Sequence, residues 1–327
     1  MHSTLLLSAL LLAGCRGHVT LHFLQPARVT IQPEIEVLAP VDRAREGLSA
    51  QSMEALVDLL AASERYRVIE PPAAEMAFAA HPSLVGAPVA AETAQGVCEA
   101  TGAQGLVVLE SWGAEPSWTE AQKDVEHIRT EEYTEGGETK KREVKERYTV
   151  FVATLHLHAA AFWSTYDCHG RILDSFEVIS EQETSAEGPT PGEARAAIHD
   201  QNALHFAAAE EVAERYAHRV APLPTSVVRP FYQSGALRDG AEAAAAGDWQ
   251  LASARWQQAA EATEGKARGK ALYDLAVAAE AAGDLPAALD FARRADALLR
   301  SGASTRYVAA LQKRAKQQQR VEKQLGQ

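Results

Sequence analysis

The sequence predicts an α+β fold: a mixed sheet with helices on one face and a long β-hairpin, followed by an all-α helical region. Three observations carry that prediction. Between residues 28 and 221, short β-branched segments alternate with stretches of helical periodicity. A charged run from Glu126 to Lys145 keeps β-branched and aromatic residues at intervals and holds Gly136-Gly137 at its middle, as a long polar hairpin would. From about residue 235, alanine-rich segments recur at an interval of 36 residues, with Gly247 answered by Gly283.

The chain has 327 residues, 46% hydrophobic and 23% charged, with a net charge of −12. That length suggests about two domains. Its acidic balance gives no sign of nucleic-acid binding and opposes broad contact with anionic headgroups. The first apolar stretch, Leu5 to Leu12, is too short for the roughly 20 residues of a membrane span. It has the length of a secretory h-region, and small residues follow it. The tetrad Leu12-Ala13-Gly14-Cys15 resembles the lipobox of bacterial lipoproteins. That resemblance implies a signal peptide over 1–14 and acylation of Cys15, which would be the first mature residue. "MHST" before the apolar core departs from the pattern, because it holds no Lys or Arg. Arg16, where inner-membrane lipoproteins of enterobacteria carry Asp, implies outer-membrane sorting facing the periplasm. Residues 15–27 read as anchor and tether.

The body then follows element by element. "IEVLAPVDR" alternates Ile35, Val37 and Ala39 as a strand. Met53, Leu56, Val57 and Leu60 form one face of a helix, with Ser49 or Ser52 as its cap. "YRVIEPP" is a short strand, "VAAETAQGVCEATGAQ" a helix closed near Gly102, and "GLVVLESWG" a buried strand. The charged run is either a hairpin or a flexible loop. After it, Val150, Val152, Thr154, His156 and His158 share a strand face, and residues 167–170 make the turn to "RILDSFEVISEQE". Residues 191–222 read as one long amphipathic helix ended by prolines. This order, with "RYRVIEPP" and "ATGAQGLVVLESW", resembles the α/β domain of CsgG-like and TolB amino-terminal-like periplasmic proteins over 28–221. The shared motifs are mostly core patterns, and the group's functions are diverse.

Residues 222–234, with three prolines, read as a linker to a helical region over 235–327. There "GDWQLASARWQQAAEA" and "GDLPAALDFARRADAL" align Gly247 with Gly283, Trp249 with Leu285, Ala252 with Ala288, and Ala259 with Ala295. Gly240 and Ala276 occupy the small position of the preceding helices, Leu275 lies just before Ala276, and Trp256 falls within the second helix of the first pair. The pattern resembles tetratricopeptide repeats, which stack helix pairs through small residues. The departures are a period of 36 and the lack of a closing proline. A polar final helix over Tyr307 to Leu325 would cap the array. Leader, α/β domain and repeats together resemble a family of tetratricopeptide lipoproteins of unknown function.

His156 and His158 on one strand face, with Cys168 and His169 in the adjoining turn, suggest a metal site. The competing reading is a sheet-face histidine contacting a helix, with the pair's strand neighbours near residues 176–180. Cys98 and Cys168 either pair in an oxidising compartment or stay as two buried thiols. Trp112 and Trp118 flank a loop at Pro116 or pack on the sheet. No phosphate loop, HExxH or GxSxG is present, and no cofactor is expected. The expectation is a membrane-anchored, non-catalytic scaffold or assembly factor that binds envelope proteins. Its alternatives are a ligand-binding or enzymatic lipoprotein that uses the α/β domain, and a secretion-channel accessory resembling the curli pore subunit.

Overall fold

The computed structural model describes residues 16–31, 35–81, 84 and 86–326. Leu12, Ala13, Gly14 and Cys15 lie outside them. The described chain divides into two units: residues 27–221, and a second formed by the amino-terminal segment to Pro26 with residues 222–327.

The first unit holds a five-stranded mixed sheet: β2 (Val37–Asp42), β3 (Arg67–Val68), β4 (Gly105–Glu135), β5 (Glu138–Asp167) and β6 (Ile172–Gly188). Their order is β3-β2-β4-β5-β6. β2 runs parallel to β3 and β4, and the other pairs are antiparallel. The expected placement of helices on one face is corrected: helices cover both. Helices α1 (Ser49–Ala62) and α5 (Gln201–Val220) lie on one face, α2 (Pro71–Ala80) and α3 (Ala91–Thr101) on the other. Connectivity gives the reason. The chain steps from β2 to one side to make β3, then back across β2 to make β4. Right-handed crossovers in opposite directions place their helices on opposite faces. Alternate residues accordingly face different cores. Ala39, Val41, Leu106, Val108 and Tyr166 pack with α2 and α3. Trp163, their opposite in phase, stacks on Tyr216 of α5 with ring centroids 5.4 Å apart.

Cys98 of α3 and Cys168 of the β5–β6 turn are disulfide-bonded, with Cα atoms 5.9 Å apart. Their pairing settles the alternative left open by sequence. The bond closes a long loop, and by chain entropy such a closure stabilises by about 4 kcal/mol. Gly170 in that turn has φ +73°, and a Cβ there would lie 2.9 Å from the Ala91 backbone. Two constraints therefore demand glycine at this position. The single helix expected over 191–222 is two, α4 (Pro191–Ala196) and α5. Asp200 restarts the helix by accepting the Ala203 N–H at 2.9 Å.

The second unit corrects the tether and the linker. Residues 16–25 form β1 and residues 223–232 form β7, an antiparallel ribbon with Arg16 opposite Tyr232 and Gln25 opposite Leu223. Pro224 and Pro230 are accommodated because each strand of a two-stranded sheet keeps an open edge, where a missing N–H costs no ladder bond. Five helices follow: α6 (Arg238–Ala245), α7 (Trp249–Ala262), α8 (Gly265–Ala281), α9 (Leu285–Leu299) and α10 (Gly302–Gln324). The 36-residue register is visible atom by atom. Gly247 and Gly283 both have φ +81°. After each, an aspartate caps the next helix: Asp248 accepts from Leu251 N–H at 2.9 Å and Asp284 from Ala287 N–H at 3.0 Å. Among the described residues no helix is long and apolar enough to cross a membrane.

Candidate functional site

The residues singled out in the repeats pack inside the helical unit. Ala252, Trp256, Ala259, Leu275, Ala276, Leu285, Ala288 and Ala295 are buried there, and Trp249 is partly so. A Cβ on Gly240 would meet the Trp256 ring at 2.5 Å. One period later the pair is Ala276 and Ala292, both buried. The small and large positions of the first pair are thus both small in the second. The Trp256 indole N–H reaches Leu237 O at 3.2 Å.

This unit is fastened to its ribbon by buried charge. Glu280 of α8 is fully enclosed and accepts from Arg229 of β7 at 2.8 Å, from Arg314 of α10 at 2.7 Å, and from the Tyr307 hydroxyl at 2.9 Å. Burial by itself raises the Glu280 carboxyl, but the hydrogen bonds from Arg229 and Arg314 outweigh it and hold the group below its ordinary value. The Tyr307 hydroxyl is pushed up, by burial first and by Glu280 second.

In the α/β unit the strand order reverses at the carboxyl ends of β2 and β4. Open parallel sheets commonly bind ligands at such a point. Here Arg43 and its partners occupy part of that crevice. Arg43, just past β2, pairs with Glu110 of β4 and donates to Leu84 O and, at 2.9 Å, to Ala87 O. Glu110 also accepts from the Tyr166 hydroxyl at 2.6 Å. Burial and that carboxylate push Tyr166 up to about 12. Beside the Arg43–Glu110 pair lies an open cleft of about 740 Å³ between α1 and the start of α2. It is lined by Asp42, Glu54, Asp58, Glu70 and Glu75 together with Met53 and Val57, and Arg45 is the one basic side chain among the described lining residues. Asp42 accepts from Ser49 at 2.6 Å, and Glu75 accepts from Arg45 at 3.3 Å. Arg45 has φ +51°, a region that non-glycine residues rarely occupy. Ser49 thus serves Asp42 and does not cap α1, and Ser52 donates to Ala209 O at 3.0 Å. Sequence reading missed this cleft, because its carboxylates come from a strand end, a helix face and a second helix start.

His156 and His158 lie side by side on the sheet, as expected, but their neighbours on β6 are Glu183 and Glu181 rather than residues 176–180. A straight count outward from the pair Tyr166–Ile172 already places the partners of His158 and His156 at residues 180 and 182, and the register shift near Thr165 adds one residue to each. His156 approaches Glu183 at 3.5 Å and Thr119 at 2.9 Å, and His158 approaches Glu181 at 3.9 Å. They line a shallow cavity of about 540 Å³. His169 sits in the β5–β6 turn, some 11 residues of strand away, or roughly 35 Å. Its backbone N–H donates to Asp167 at 2.9 Å. Among the described residues no group of three or more His, Cys, Asp or Glu could hold a metal ion. Trp112 and Trp118 lie within β4 rather than in a loop, and Arg195 covers the Trp118 ring at 5.3 Å.

The outer part of the β4–β5 hairpin is exposed along its length. Cross-strand pairing runs without a break from Asp124–Thr149 to Glu135–Glu138, twelve residues a strand and about 40 Å long. β6 stops pairing at Phe151, and β2 accompanies β4 only from Gly105 to Leu109. Both edges of this arm are therefore open among the described residues, and nearly every side chain on it is exposed. Its charges match across the strands: Glu126 with Lys145 and Arg147, Glu131 with Arg142, Glu132 with Lys141, and Glu135 with Lys140. Hydrogen bonds from Lys145 and Arg147 hold the Glu126 carboxyl below its ordinary value, and Arg142 does the same to Glu131. The charged run is thus the hairpin of the two readings.

Residues 31–232 match the family described as domain of unknown function DUF8603, and residues 238–315 match a second domain of unknown function, DUF6340. No curated protein and no solved structure matches the chain.

Proposed function

The chain belongs to the DUF8603 family, and from that premise we propose that it is a lipid-anchored, non-catalytic protein-binding factor of the bacterial cell envelope. Acylated Cys15 would hold it, by analogy with the outer membrane's periplasmic lipoproteins, and the helix pairs α6–α7 and α8–α9 would act as tetratricopeptide-like repeats. The observation that carries the reading is the arm. Among the described residues, twelve residue pairs leave both faces and both edges uncovered, so the arm buries no core of its own. An exposed ribbon with free edges is a ready template for partner strands. The Arg43–Glu110 pair supports the non-catalytic part, since it takes up part of the crevice that a ligand would use in other sheets of this kind. The disulfide supports an oxidising compartment.

The test replaces residues 126–147 by an Asn-Gly turn in the anchored protein, with photocrosslinkers placed at Tyr133 and Tyr148. The expected result is a specific envelope protein captured by the full arm and lost on shortening, with the melting midpoint unchanged. Recovery of no specific partner, or full cellular function without the arm, would sink the reading.

The acidic cleft favours a second reading, a binding protein for an organic cation that lays an alkyl body on Met53 and Val57. Titration with spermidine checks it. Heat release abolished by Glu70→Gln with Glu75→Gln is expected, and none from the parent ends it.

A further inference from the structure

Helix α10 turns two chemically different faces outward and inward. Tyr307, Leu311, Arg314 and Val321 are buried in the helical unit, and Arg314 spends its charge on Glu280. The opposite face presents Arg306, Lys313, Lys316, Arg320 and Lys323, all exposed. Their spacing of seven, three, four and three residues lays them in one stripe, about 25 Å long. Thr305, Ala309, Gln312 and Gln319 fill the gaps, and no carboxylate interrupts it. The helix's single acid, Glu322, sits on the half-buried flank. Among the described residues Arg306, Lys313, Lys316 and Lys323 make no ion pair.

An ordinary solvated helix face mixes both signs, as the β4–β5 arm does. This one does not, and its unit differs from the rest of the chain in the same sense. The unit of residues 1–26 and 222–327 holds 16 basic and 11 acidic residues, a net +5, whereas residues 27–221 hold 16 basic and 33 acidic, a net −17. The net acidity of the whole chain conceals this division. The basic unit also holds the residue that follows Cys15 in the chain. Its strand β1 begins at that residue, and α10 packs on β1 with Arg314 4.2 Å from the Phe23 ring centroid.

We propose that the α10 stripe rests on the anionic headgroup surface of the membrane that holds the anchor. The proposal builds on the lipoprotein reading of Cys15. Acyl chains fix the unit to the bilayer, and the stripe sets which side of it meets the surface. Cations near an anionic bilayer are attracted additively, and salt within a Debye length weakens them.

The test uses the chain from residue 15 onward, which contains every described residue, with Cys15→Ser so that it carries no lipid. Cosedimentation is measured with vesicles of phosphatidylcholine alone and of phosphatidylcholine mixed with phosphatidylglycerol. Binding only to the anionic vesicles, reversed by high salt, is expected. The variant K313E/K316E/K323E should lower the partition coefficient at least about tenfold, with an unchanged melting midpoint. The milder K313Q/K316Q/K323Q should fall between the two. Absent binding, equal binding to both vesicles, or a variant that binds like its parent overturns the proposal. So does salt-sensitive self-association, stripe to acidic unit, in place of vesicle binding. The mass of Cys15 in the cell-derived protein reports the anchor separately. Acylation without vesicle binding removes the stripe's role and keeps the anchor, and vesicle binding without acylation does the reverse.

Discussion

The Glu280 cluster and the β4–β5 arm are built from the same carboxylate–guanidinium chemistry and differ in water. At Glu280 one carboxylate faces two arginines and a tyrosine with almost no solvent. On the arm, comparable distances join side chains that stay largely exposed, such as Lys141 and Glu132 at 3.0 Å. Removing one member of a buried set strands the others without hydration. Removing one member of an exposed set returns its partner to water. The cluster therefore couples stability to ribbon and helices alike, whereas the arm's ladder sets register and solubility.

The sharpest way to break the comparison is Glu280→Ala. It should cost about 3–5 kcal/mol, because Arg229 and Arg314 remain buried without their anion. Urea unfolding measures it, and a loss no larger than that of an arm substitution would erase the distinction. Next comes the disulfide: Cys98→Ser with Cys168→Ser should cost about 2–4 kcal/mol in the α/β unit, read as a lower thermal midpoint that reductant no longer shifts. Gly240→Ala follows, at about 1–3 kcal/mol, because the added methyl must displace the Trp256 ring.

Acid sharpens the contrast through linkage. Glu280 is depressed in the folded state, so its contribution is complete above the ordinary glutamate value of 4.5 and disappears as pH falls through the folded value. The stability gap between the parent and Glu280→Gln should hold at neutral pH and narrow below 4.5. The smallest effect is expected on the arm, where Glu131→Gln should leave the thermal midpoint unchanged at physiological salt.

Much of this fold was legible locally. The hairpin was visible in Gly136-Gly137 and the β-branched residues between charges, because strand and turn propensities act over a few residues. The helix pairs were visible in the Gly-Asp turns at 247 and 283, where a left-handed glycine and an aspartate cap are each satisfied within four residues. The misread segments were those whose partners lie far along the chain. Residues 16–25 and 223–232 resemble a tether and a linker until they meet, some 200 residues apart. Asp42, Glu70 and Glu75 look like separate surface acids until α1 and α2 close on the end of β2.

The sequence by itself determined the helix pairs and their 36-residue register, because a left-handed glycine and an aspartate cap are properties of neighbouring residues; for the charged run it offered a hairpin and a loop, and for the last helix only its polarity. Only the tertiary structure decided that helices cover both faces of the sheet, that Cys98 meets Cys168, that the charged run pairs its acids with bases across two strands, that α10 leaves its cations on one exposed face, that Arg43 pairs with Glu110 at the switch point, and that Glu280 gathers Arg229 and Arg314. Each of those requires distant residues to converge, and burial then sets what the same charge is worth.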